Sequence, residues 1–269
     1  YLELYTGLIG PYPFKKFALI ENFWETGYGM PSFTLLGPTV IRFPFILHSS
    51  YPHELLHNWW GNGVYVDYAT GNWCEGMTAY LADHLIKEQR GQGVEYRRGT
   101  LQKYTDYVNT GNDFPLSEFT SRIHAPSEAI GYGKSLMMVH MLRRELGDDQ
   151  FREFLRLFYS ANRFQHASFG SMCAAVEAVT GLDWTDFFEQ WVTRTGAPVL
   201  ELADCRDAGR SETGKFLLEF TLRQTQDGLP YRLLIPLAIT VENQAEADMR
   251  SVMMTDKQQV FRVERSEEH

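Results

Sequence analysis

The stretch His53-Glu54-Leu55-Leu56-His57-Asn58-Trp59-Trp60 decides how the rest of this chain is read. It is an H-E-x-x-H pattern inside an apolar, aromatic run. Residues four apart share one face of a helix, so His53 and His57 can hold one ion between them. Glu54 then faces the space beside the ion, where a water would sit. Two imidazoles and a neighbouring carboxylate are what metal-assisted hydrolysis needs: zinc ligands and a base for the metal-bound water. Three fixed positions also arise by accident in a 269-residue chain with 8 histidines, and a helix carrying two histidines for packing is the plain alternative. A zinc centre needs a third protein ligand.

The surroundings supply candidates for it. Pro52 favours helix entry just before His53, and Gly61-Asn62-Gly63 is a strong stop, so the helix is expected from about Pro52 to Trp60. A short connection through Val64–Asp67 leads to a second helix near Trp73, with Met77, Leu81 and Leu85 as its inward stripe. Asp67, Glu75 and Asp83 are the nearby carboxylates. Glu75 is the best third ligand, because a short loop brings the first turn of the second helix back toward the first. His84, among apolar residues, is expected to be structural.

Upstream, Leu2-Glu3-Leu4-Tyr5 and Phe17-Ala18-Leu19-Ile20 are short strand-like runs separated by Gly10-Pro11-Tyr12-Pro13. By itself Glu21, at the end of the second run, is a strand-end charge facing water. Residues 27–47 suggest a hairpin leading into the metal helix. Residues 92–197 are helical in pattern, interrupted by a polar loop from Asn109 to Ala129, after which Tyr132-Gly133-Lys134 opens a helix that stops at Gly147. Asp148, Ser168 and Asp183 cap the helices that follow. At Gly196-Ala197-Pro198 the pattern changes to about five β-rich runs, Val199–Leu202, Phe216–Leu222, Tyr231–Val241, Ser251–Thr255 and Val260–Val263, expected to form a sandwich. The acidic tail Glu264–His269 is expected to fray.

Composition narrows the classes. Hydrophobic residues make up 44% of the chain and aromatic residues 14%, ample for a core. A net charge of −9 argues against a nucleic-acid partner. No apolar run is long enough to span a membrane; Phe33–Leu47, the best one, is broken by Gly37, Pro38, Arg42 and Pro44. Three scattered cysteines make neither a disulfide framework nor a Cys-rich zinc site. That leans toward a cytoplasmic compartment, with an exported parent protein equally compatible. The chain opens on Tyr rather than Met, the form of a fragment or a processed product.

Four matches now stand in order: Ile20-Glu21-Asn22, His53 to Asn62, Asn72-Trp73-Cys74-Glu75-Gly76, and Tyr132-Gly133-Lys134. Together they resemble the M1 family of zinc aminopeptidases, a gluzincin group, over most of residues 10–200. The resemblance implies an α+β chain: a thermolysin-like zinc peptidase domain over residues 1–197, mainly helical with an N-terminal β portion, then a β-sandwich over 198–269. It implies one Zn2+ per chain, held by His53, His57 and Glu75. Glu54 matches the general base, Tyr132 the hydrogen-bond donor to the oxyanion, and Glu21 the carboxylate that binds the free α-amine of a peptide substrate. It also implies a parent protein whose N-terminal domain, absent here, adds contacts to that amine.

Some positions depart from the family pattern. Residues 58–74 between the second His and Glu75 are one fewer than usual. Ala18 stands where the family's amine-binding motif has glycine, and Gly133 where a carboxylate usually follows the tyrosine. Two other readings compete: a thermolysin-like endopeptidase with the same ligand set, and a non-catalytic binding module. Residues 23–47 and 114–131 are candidates to line the pocket for the substrate side chain.

Overall fold

In the computed structural model residues 1–212, 214–240 and 246–265 are described. The chain divides into two compact units, Tyr1–Thr195 and Gly196–His269.

The first unit opens with a helix, α1 (Leu2–Leu8), where alternation suggested a strand. A run of four residues is too short to distinguish the two periods, and packing decides. Tyr5 and Ile9, one helical turn apart, are fully buried, and the Tyr5 ring meets Trp59 edge-on at 5.7 Å. A three-stranded sheet follows. Strand β1 (Ala18–Glu21) runs parallel to β3 (Phe33–Leu36), and β2 (Gly27–Met30) pairs antiparallel with β3 through a tight turn at Pro31-Ser32. The order β1-β3-β2 leaves β2 on the edge that packs against the metal-motif helix, α2 (Ser50–Leu56).

Helix α2 ends earlier than Gly61 would dictate. Asn58 and Trp59 donate back to Leu55 and Leu56 in tighter three-residue turns, which swings Trp59 and Trp60 into the core. The buried Asn58 side chain holds this corner. Its amide donates to the Leu55 carbonyl (2.8 Å), and its oxygen accepts from Ser32 N (2.9 Å) and the Tyr12 hydroxyl (3.0 Å).

Strand β4 (Tyr65–Val66) pairs with β5 (His166–Ala167) and returns the chain to α3 (Cys74–Thr78). A wide π-type turn, Ala79–His84, links α3 to α4 (Leu85–Gln89), and α5 (Gly93–Tyr107) follows. The helix expected to open at Tyr132 begins at Ala125 instead. His124 caps α6 (Ala125–Glu128), a second π-type turn spans Ala129–Lys134, and α7 (Ser135–Asn162) continues with a break at Gly147 (φ 76°). Tyr132 therefore lies inside a helical stack and not at its mouth. The last helices are α8 (Phe169–Thr180), capped by Ser168, and α9 (Thr185–Val192). Trp60, Trp73 and Phe158 interlock with centroids 5.1 to 6.0 Å apart, joining the end of α2, the start of α3 and the middle of α7.

In the second unit β6 (Leu200–Arg210), β7 (Phe216–Gln224), β8 (Leu233–Ile239), β9 (Asp248–Met254) and β10 (Gln258–Arg265) make two sheets, β10-β7-β6 and β8-β9. Phe220, Leu222 and Met254 form the core with Ile235, Leu237 and Val252, so the sheets face one another as a sandwich. Of the expected strand and tail ends, Val241 and 266–269 lie outside the described residues. No helix among the described residues is long and apolar enough to cross a membrane.

Behind the first π-type turn lies a buried polar cluster. His84 stacks on Tyr80 (4.8 Å) and its Nε2 meets Arg97 Nη1 at 2.7 Å; the Tyr80 hydroxyl meets His140 Nδ1 at 3.1 Å. Burial brings His84 down to about 4, and burial with the neighbouring Arg97 brings His140 down to about 3. Both are neutral in the folded protein, whereas the unfolded chain takes up protons below about pH 6.5. Uptake by the unfolded state means that stability falls as pH drops from about 6.5, more gently once His84 protonates near 4, and levels off below about 3. The thermal midpoint should drop by several degrees across that window, with a shallower dependence in His84→Gln, as calorimetry at stepped pH will show.

Candidate active site

The two histidines sit at the end of α2 with rings 5.0 Å apart. Each has one nitrogen already engaged. His53 Nδ1 meets Asp83 Oδ2 at 2.9 Å, and His57 Nδ1 meets the Trp60 carbonyl at 3.1 Å. With Nδ1 carrying the proton, each Nε2 keeps a lone pair for a metal. Both point at Glu75, whose Oε2 lies 3.5 Å from His53 Nε2 and 3.6 Å from His57 Nε2. Ligands about 2.0–2.2 Å from a tetrahedral ion are separated by roughly 3.3–3.6 Å, which these spacings match. Glu75 Oε2 is buried without a hydrogen-bond partner, the state of an oxygen that a cation would satisfy. Among the described residues His53, His57 and Glu75 are the group of metal-ligating side chains that converge within 4.8 Å. Zinc fits them in residue type, spacing and charge.

Local structure explains the convergence. Gly76 lets α3 press against the start of α7: a Cβ there would meet Ser135 Oγ at 2.0 Å. This contact sets Glu75 beside Tyr132. Asp83 follows Glu75 by eight residues, and on a regular helix it would be rotated by about 80° from it. The extra residue of the π-type turn takes up that rotation and returns Asp83 to the face of His53. Asp83, considered from sequence as a ligand, is thus a positioning residue behind one.

Electrostatics assign states to the groups. Burial alone would raise the Glu75 carboxyl, but the adjacent His53 and His57 imidazoles outweigh it and bring it down to about 2. Burial raises Glu54, with the two imidazoles opposing. Burial and the adjacent Glu75 raise Tyr132, so its phenol stays a proton donor. The Tyr132 ring lies nearly parallel to His53, 6.3 Å away.

A cleft of about 910 Å3 holds His53, Glu54, His57, Glu75 and Tyr132 together. Strand β2 forms one wall at very short range: a Cβ at Gly29 would stand 2.5 Å from His57 Cβ. The Gly29 carbonyl accepts from Asn62 Nδ2 at 3.1 Å, away from β3, so the outer edge of β2 faces the cleft. The alternation Gly27-Tyr28-Gly29 was the available sequence signal for this approach.

Glu21 is not brought to the cleft. It ends β1, beyond β3 from α2, half-exposed and 2.7 Å from Arg42 Nη1. Its strand occupies the wrong edge of the sheet, a matter of strand order that linear matching does not reveal. The carboxylate of this segment that does line the cleft is Glu25. The Thr39 hydroxyl (2.6 Å) and the Thr39 and Val40 amides donate to it and hold it below the usual carboxylate range.

Asp83→Asn should weaken zinc binding by about tenfold to a hundredfold, measured by competition with a chelator of known affinity.

Known proteins are similar to this chain in sequence and in fold. The model of the peptidase family M1 domain matches residues 49–191. Alanine/arginine aminopeptidase of Saccharomyces cerevisiae is 22% identical over 192 residues, covering 69% of this chain and 22% of the relative. Aminopeptidase N of Lactococcus lactis subsp. lactis is 24% identical over 201 residues, covering 66% and 23%. The chain thus spans about a quarter of the length of the curated relatives it matches. A variant of an M1 zinc metallopeptidase from Deinococcus radiodurans, bound to a Tyr-Ser-Ala substrate, shares the fold with a TM-score of 0.59 at 21% identity, over 74% of this chain and 44% of that one. By its matched domain and in keeping with its fold, the chain belongs to peptidase family M1.

Proposed function

We propose that this chain carries the catalytic centre of a zinc-dependent peptidase acting beside a free amino terminus. The observation that carries the reading is the buried Glu75 Oε2, without a hydrogen-bond partner and 3.5 and 3.6 Å from two imidazole nitrogens, in one cleft with Glu54 and Tyr132. His53, His57 and Glu75 would hold a zinc ion, which would supply Lewis-acid activation of water and of the scissile carbonyl near neutral pH. Glu54 takes the proton of the attacking water and passes it to the leaving amine. Tyr132 donates to the carbonyl oxygen as charge builds there, a contact stronger in the transition state than in the substrate. The outward edge of β2 offers main-chain groups to an extended peptide.

The preference for an amino terminus draws on the relatives' names, and it requires a carboxylate near the metal. Glu25 is the side chain available for that part. The displacement of Glu21 favours, as a second reading, an endopeptidase with the same metal centre.

Two tests follow. Hydrolysis of aminoacyl-p-nitroanilides by the zinc-loaded chain should stop on chelation and in Glu54→Gln, and fall about 10²–10³-fold in Tyr132→Phe. N-acetylation should abolish cleavage, and Glu25→Gln should raise KM for free-amine substrates; equal cleavage of acetylated peptides would establish the endopeptidase reading instead.

A further inference from the structure

The wall of the cleft beside Tyr132 carries positive charge in a chain whose net charge is −9. Arg122, from the loop before α6, and Lys103, on α5, both line the cleft. Each lies 3.4 Å from a different oxygen of Glu128, so two cations share one carboxylate. These separations are long for ion pairs, and the side chains of Arg122 and Lys103 are 56% and 62% exposed. Most of their donors are open to whatever enters: a guanidinium alone offers five N–H groups. The Arg122 guanidinium also sits 5.9 Å from the centre of the Tyr132 ring, which steadies it beside the group that would polarise the scissile carbonyl.

The other acids of the cleft do not neutralise this wall. Glu75 and Asp83 face the histidines, Glu25 is held by the Thr39 and Val40 donors, and Glu54 stands against β2. Successive residues of an extended peptide are about 3.3 Å apart. A charge 5.9 Å from the Tyr132 ring is therefore within reach of a group one or two residues from the bond to be cut.

We propose that Arg122, supported by Lys103, forms a carboxylate-binding subsite that reads an anionic group on the peptide close to the scissile bond. This rests on the peptidase reading above and adds a substrate class to it: peptides whose carboxylate lies near the cut. Two sources supply that chemistry, the terminal α-carboxylate of a short peptide and an acidic side chain within a longer one. The subsite accounts for two cations facing the cleft where one would suffice to balance Glu128.

The test separates binding from turnover. Zinc-loaded Glu54→Gln protein is titrated by calorimetry with Ala-Ala-Ala, with its C-terminal amide, and with Ala-Glu-Ala amide. At least one of the two carboxylate peptides should bind about tenfold more tightly than Ala-Ala-Ala amide, the value of one charge-assisted contact at a partly exposed site. That ratio should fall to about one when Arg122→Gln is added, stay intermediate in Arg122→Lys, shrink less in Lys103→Gln, and weaken with added salt. Preference for the free acid alone identifies a terminal carboxylate; recovery by Ala-Glu-Ala amide identifies an acidic side chain. Equal binding of all three peptides, absence of binding by any, or a ratio unchanged in Arg122→Gln would overturn the subsite. Discrimination in binding with no turnover by the wild-type chain would leave the subsite standing and remove the peptidase reading.

Discussion

Three side-chain atoms able to ligate a metal, carried by the end of one helix and the start of another, meet within 4.8 Å, and the architecture of the first unit serves that approach. His53 and His57 come from the end of α2, and Glu75 from the first turn of α3. The intervening chain reverses by burying indoles beneath the site: Trp59 and Trp60 leave α2 inward, and Trp73 enters α3 from below. Each indole removes on the order of 200 Å2 from water, an upper bound of about 5 kcal/mol apiece. That is comparable with the penalty of several kcal/mol for keeping one ion away from solvent. Asn58 and Gly76 then set the approach, one by hydrogen bonds at the corner, the other by the absence of a side chain.

Burying Glu54, Glu75 and Asp83 around two imidazoles is costly without a cation. Without metal, burial of His53 is outweighed by Asp83, which with Glu75 holds its proton well above the usual imidazole range. A divalent ion held by these residues would take over that role on displacing the proton, which would make metal binding and the charge balance of the core one equilibrium. Asp83 serves both states, as partner to the protonated ring and as the acceptor that orients the neutral one.

Sheet order governs the outer part of the cleft. Because β3 lies between β1 and β2, one edge of the sheet faces the metal helix and the other faces away. Glu25 and the glycines of β2 reach the cleft; Glu21 does not. The opposite wall belongs to α5 and the loop before α6, whose two cations give the cleft a charge contrast between its sides.

The metal motif was legible in sequence because its elements are local. Four-residue spacing puts His53 and His57 on one face wherever a helix forms, and Glu75 opens the helix that follows, inside the matched run Asn72–Gly76. The Ser168 cap and the β-rich runs after residue 197 were legible on similarly short-range grounds, whereas Asp148 lies inside α7 and Trp184, not Asp183, stands at the N-cap of α9. Tyr132 was found through its match to a family, and the matched domain and fold bear out that family. Tertiary structure decided what depends on registration between distant segments. Strand order moved Glu21 away, packing on Trp59 made Leu2–Leu8 a helix, and a π-type turn aimed Asp83 at His53. A linear sequence states which residues are neighbours along one element. Which edge of a sheet meets which helix is settled only by the competition of all apolar faces for one core.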